Sequence, residues 1–158
     1  MMKKIFFVLL FLTGCGFSPL YQSKNINGGN VPVQVAPIPE QYGFNMHQAI
    51  QNKFGRTENT KYILKVDSPS FNSWDQTIDN KNFATIMGIS GTVSYSLTEK
   101  VSNKVLLKSS ASLNSSYSVV RDPYATIVAE RKIKKELAEQ LADHISLHVL
   151  GTLTGTHQ

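Results

Sequence analysis

Two stretches in the middle of the 158-residue chain alternate between apolar and polar positions. From Phe83 to Leu97 the odd positions read Phe, Thr, Met, Ile, Gly, Val, Tyr, Leu, while the even positions from Ser90 read Ser, Thr, Ser, Ser, Thr. The second stretch puts Val105, Leu107, Ala111, Leu113, Tyr117 and Val119 on one side. Lys108, Ser110, Ser112, Asn114, Ser116 and Ser118 fall on the other. Side chains alternate across a strand, so each stretch predicts a strand with one apolar and one hydroxyl-rich face, covered on one side only. Both runs exceed the usual five or six residues. The segment "EKVSNK" between them supplies the turn of an antiparallel pair.

The rest of the chain fills in around this pair. Val31, Val33 and Val35 alternate with Pro32, Gln34 and Ala36, which predicts a strand, and Pro32 confines it to an edge or a strand start. "YGFNMHQAIQNKF" changes to helical spacing, with Phe44, Ala49, Ile50 and Phe54 available for one face and Gly55 as a stop. "KYILKVD" predicts a short strand, and Ser68 to Asn82 a long polar loop carrying the single tryptophan, Trp74. Asp122 and Pro123 then suit the N-cap and first turn of a long helix ending near Gly151. Ile127, Ile133, Leu137, Ala138, Leu141, Ala142, Ile145 and Val149 share one half of its wheel, interrupted by Arg131 and Lys134.

The order strand, helix, strand, strand, strand, helix predicts a two-layer α+β sandwich. Its four-stranded mixed sheet carries both helices on one face, and the first two strands are parallel through a right-handed crossover. Trp74, Lys81 and Arg121 fall in loops at one end of that sheet; the N-terminal tether, the Asn103 turn and the C-terminus fall at the other. The folded unit is expected over residues 31–158 as one domain.

Before it, Lys3 and Lys4 precede an apolar run from Ile5 to Leu12, closed by Thr13, Gly14 and Cys15. Eight apolar residues are too few for a membrane-spanning helix, which needs roughly 20. A charged start, a short apolar run and small residues describe a secretory signal peptide, expected over residues 1–14. Leu-Thr-Gly-Cys resembles a bacterial lipobox, which makes Cys15 the expected lipid attachment point. A cysteine inside a removed signal, or a buried free thiol, is the plainer alternative. Several acyl chains anchor stably where a single one binds reversibly. Gly16 to Asn30 is polar and rich in Gly and Asn, the composition of a flexible tether. Gly16 follows the cysteine where an inner-membrane retention signal would place Asp, which points to the outer membrane.

Charge and chemistry narrow the function. The whole chain carries a formal +5, and loss of Lys3 and Lys4 leaves fourteen basic against eleven acidic residues, near +3. No uninterrupted run of four Lys/Arg supports nucleic acid binding. Cys15 is the only cysteine, so stability must come from packing rather than a disulfide. His144 and His148 stand four apart on the last helix without a third ligand placed beside them. Asp67, Asp75 and Asp79 lack the spacing of paired catalytic carboxylates, and neither a Gly-x-Ser-x-Gly elbow nor a phosphate loop is present. No catalytic residue, metal site or cofactor is expected; the chain is not expected to be an enzyme.

The lipobox running into Cys-Gly-Phe-Ser-Pro-Leu-Tyr resembles the LPS-assembly lipoprotein family (LptE), particularly its alphaproteobacterial type. "VAPIPEQYGFNMHQAIQNKF" resembles that family's first strand and helix, and "DPYATIVAERKIKKELAEQLADHISLHV" its closing helix. The middle strands match in pattern alone. The resemblance implies an outer-membrane lipoprotein that binds and plugs the LPS-transport β-barrel, assists its assembly and contacts lipopolysaccharide. The hydroxyl-rich sheet face would suit a polar barrel lumen, and would equally suit an ordinary wet sheet surface. Trp74 in its loop is a candidate contact or a packed anchor; Lys81 and Arg121 are candidate LPS phosphate contacts or solvated loop charges. The other function class left open is an outer-membrane lipoprotein that serves as a binding module for a periplasmic enzyme or envelope polymer.

Overall fold

A computed structural model describes residues 31–78 and 84–155. The expected signal peptide, Cys15, the tether, Lys81 and Asp79 lie outside the described residues. The chain forms β1 (Val33–Val35), α1 (Gln41–Phe54), β2 (Tyr62–Val66), β3 (Ser70–Ile78), β4 (Ala84–Glu99), β5 (Val105–Ser118) and α2 (Pro123–Gly155). This is an α+β architecture with a mixed open sheet and two helices, as the alternation indicated.

Strand β4 is the spine of the sheet. Along one edge it pairs β5 antiparallel from Ile86↔Ser118 to Thr98↔Val105. Along the other edge it pairs β2 (Val66↔Tyr95) and then β3 (Ser70↔Thr92), so β2 and β3 lie end to end. The break between them holds Pro69, which has no N–H to donate, and it is bridged by Asp67 N–H to the Ser94 carbonyl at 2.9 Å. Strand β1 pairs β2 in parallel, Val33↔Tyr62 to Val35↔Leu64, as the strand–helix–strand order predicts. Asn103 closes the β4–β5 turn in the left-handed region at φ 55°, a conformation that asparagine tolerates.

The sheet therefore has five strands, not four. Ser70–Ile78 is an extended strand where a polar loop was expected. Apart from half-buried Phe71 its residues are exposed on both faces, so nothing selects an apolar alternation. Its backbone hydrogen bonds go to β4 instead, with a bulge between Asp75 and Thr77.

The core lies between the sheet and the helices, in two parts. The larger joins Met46, Ile50 and Phe54 of α1 to Val33, Val35, Leu64, Val66, Val93, Tyr95 and Leu97, and to Ala138, Leu141, Ala142, Ile145 and Val149 of α2. The smaller joins Ile89, Tyr117 and Leu137, with Met87, Ala129 and Ile133 beside them. No α1 residue enters this second part. One end of the molecule is thus four strands and two helices, the other three strands under α2 alone.

The helices show why their stripes fall where they do. In α1 the buried positions are Gly43, Met46, Ile50 and Phe54. Phe44, expected on that face, is 59% exposed, because the 100° period from Ile50 selects Met46 and Gly43. At the start of α2 the Asp122 carboxylate accepts the Tyr124 N–H at 2.9 Å, the expected cap. The helix continues past Gly151 to Gly155, and Ile127, expected in its apolar half, is 46% exposed. Lys134 enters the stripe paired with Glu130 at 2.5 Å. Ser146 is fully buried, its hydroxyl donating to the Ala142 carbonyl at 2.7 Å, which satisfies it without a tertiary partner. Helix and sheet meet tightly at Gly91, where a Cβ would stand 3.1 Å from Phe71 and 3.2 Å from Leu141.

Candidate functional site: the open face of the sheet

Both helices lie on one side, so among the described residues the other face of the sheet is uncovered. Register arranges its side chains in rows across the strands. One row is Lys65–Ser96–Lys108, the next contains Ser94–Ser110, and then come Ser70–Thr92–Ser112 and Asn72–Ser90–Asn114. Trp74–Gly88–Ser116 follows, and Ile86–Ser118 ends the series. The Thr92 and Ser112 hydroxyls are hydrogen-bonded to each other at 3.1 Å, so neighbouring rows are cross-linked through side chains as well as backbone.

Trp74 stands on this face in β3 rather than in a loop. Its indole lies over Gly88, where a Cβ would fall 2.6 Å from Nε1 and 2.5 Å from Cζ2. Only glycine admits the ring that close, and the ring in turn keeps Gly88 buried. Trp74 retains 44% exposure, leaving a flat apolar surface beside hydroxyls. Arg121 is exposed in the β5–α2 connection beyond the same end of the sheet. Trp74 and Arg121 share that end, and no hydrogen bond or ring contact joins them. Val120, Tyr124, Ile127 and Val128 are exposed nearby.

At the opposite half of the open face a cleft of about 320 Å³ is lined by Lys65, Asp67, Ser94, Ser96, Lys108 and Ser110, with Tyr95 and Ser109 below. Neither lysine takes part in an ion pair among the described residues. A second cleft, of about 430 Å³, lies between the helices against Arg131, Lys132 and Lys135. There Lys132 and Lys135 are paired with Glu136 at 3.7 Å and Glu139 at 3.8 Å, which partly neutralises it.

Three further polar groups belong to the helix side. The Tyr95 hydroxyl and His148 Nδ1 are hydrogen-bonded at 2.6 Å, a use for His148 that the sequence does not reveal. No group of three His, Cys, Asp or Glu side chains able to hold a metal occurs among the described residues. Tyr117 has its pKa pushed above 10.0 by burial and by the Glu130 carboxylate, opposed by a Ser73 hydrogen bond and by Lys134.

The lysine row is not legible in the sequence. Lys108 was placed on the hydroxyl-rich side by alternation; Lys65 lies between Leu64 and Val66 in a different strand. Only the β2–β4–β5 register puts them on either side of Ser96.

No protein-family model matches the chain. It is 25% identical over 147 residues to uncharacterized protein RP188 of Rickettsia prowazekii (strain Madrid E), covering 91% of this chain and 93% of the relative. Among solved structures, rare lipoprotein B from Shewanella oneidensis superposes with a TM-score of 0.61 at 10% identity, over 80% of this chain and 98% of that one. Uncharacterized lipoprotein B from Nitrosomonas europaea gives 0.54 at 13% identity, over 82% and 95%. A Caulobacter crescentus crystal structure gives 0.61 at 17% identity, over 80% and 93%. The chain thus shares its fold with bacterial lipoproteins.

Proposed function

We infer that this is a non-catalytic outer-membrane lipoprotein, anchored through Cys15, that binds and plugs the LPS-transport β-barrel, assists its assembly and helps insert lipopolysaccharide. The observation that carries this reading is the open sheet face. It is about a dozen residues long, dominated by Ser, Thr and Asn, nearly free of acidic groups, and stiffened by a continuous backbone ladder. Such a face stays hydrated yet offers donors and acceptors throughout, which suits the polar interior of a barrel. The lipobox-like start and the fold shared with lipoproteins support the same reading.

The test is capture of the tagged, mature lipoprotein from mildly solubilised outer membranes, followed by electrophoresis of unheated and heated samples. A large, heat-modifiable barrel in stoichiometric yield is the expected result. Recovery of the lipidated protein alone, or with a soluble periplasmic enzyme, would overturn the barrel role in favour of a binding module.

A further inference from the structure

The cleft over Lys65, Ser96 and Lys108 has the composition of an oxyanion site. Adjacent strands stand about 4.8 Å apart, so the two lysine Cα atoms, two strands apart, are separated by roughly 10 Å. Their flexible four-carbon stems let both ammonium groups reach one ligand held above Ser96. Ser94, Ser96 and Ser110 floor the space with hydroxyls. Two unpaired cations with hydroxyl donors beneath match a tetrahedral, doubly charged oxyanion better than a carboxylate, which presents only one plane of acceptors. Asp67 lines the same cleft and offsets part of the charge of the two lysines, leaving a formal net charge of about +1 from the charged side chains that line it.

We propose that the Lys65–Ser96–Lys108 row is a binding site for a phosphate monoester. The ammonium groups of Lys65 and Lys108 flank the phosphate, and the serine hydroxyls donate to its lower oxygens. The site lies on the face that the barrel reading uses, and rests on that reading only for which phosphate reaches it. A lipid headgroup and a free phosphate group present the same chemistry, and they are separated by experiment.

Full-length lipoprotein in uncharged detergent is titrated with phosphatidic acid in mixed micelles, with diacylglycerol in the same micelles, and with inorganic phosphate. Lys65→Gln and Lys108→Gln are each expected to weaken phosphatidic acid binding at least fivefold, and Ser96→Ala about two- to threefold without changing any charge. Lys104→Gln, in the β4–β5 turn, is expected to leave it unchanged. All four sites are at the surface or on the open face, and an unaltered thermal transition checks that each variant folds. Competition by inorganic phosphate supports the site and assigns it to the free group; binding of the lipid without such competition supports it and assigns it to the headgroup. Equal binding of diacylglycerol, or an equal loss in Lys104→Gln, would show generic adsorption and overturn the proposal.

Discussion

At the scale of single residues, the contact of Trp74 with Gly88 is the tightest tertiary constraint on the open face. A methyl group at position 88 would overlap the indole, so Gly88→Ala must displace the ring. We expect a red-shifted tryptophan emission and a loss of about 1–2 kcal/mol in denaturant unfolding, the usual range for overpacking. Tyr117 makes a second residue-level prediction. Its folded-state pKa lies above the unfolded value of 10.0, so between the two the native state holds a proton that the unfolded chain has released. Stability from this group is complete below pH 10 and declines as pH rises through the folded pKa. Tyr117→Phe should flatten that alkaline decline relative to wild type in unfolding curves collected from pH 9 to 11.

At the scale of elements, legibility followed burial. The long strands β4 and β5 could be read because one face packs on α2 and the other does not. The start of α2 could be read because Asp122 and Pro123 act locally. Strand β3 could not, since Ser73, Trp74, Asp75, Gln76, Thr77 and Ile78 are exposed whichever way they point. Its existence depends on β4 being long enough to pair it, a fact about a partner 14 to 22 residues away for the pairs Trp74↔Gly88 and Ser70↔Thr92. The lysine row was hidden for the same reason: it is a property of register across three strands. With one edge unpaired and little burial, β3 should open more readily than the strands beside it. Hydrogen exchange is expected to reach its amides well before those of Val93 to Leu97. Equal protection along both would mean that something other than β4 covers β3.

At the scale of the whole molecule, the elements add up to an elongated body. From the Thr98↔Val105 pair to the Ile86↔Ser118 pair the sheet spans about 40 Å at 3.4 Å per residue, and α2, at 33 residues, runs about 50 Å beside it. Val101 and Tyr124, 92% and 73% exposed, mark opposite ends. Spin labels at Val101→Cys and Tyr124→Cys, in a Cys15→Ser background, should give one narrow distance distribution between about 40 and 55 Å. A broad or short distribution would contradict a single rigid long axis. The lysine cleft and Trp74 occupy different halves of that axis, so one ligand of modest size would not touch both.

The two-part core has a directional consequence. Because α1 and β1 cover only the half where Val31 enters, the described residues form a body that is thick at that half and slender where β3, β4 and β5 lie under α2 alone. If Cys15 carries the anchor proposed above, the attachment lies on the side of the broad half, where Val31 enters the fold. The slender end, with Trp74, Arg121 and the exposed Tyr124, is then the one farther from that attachment.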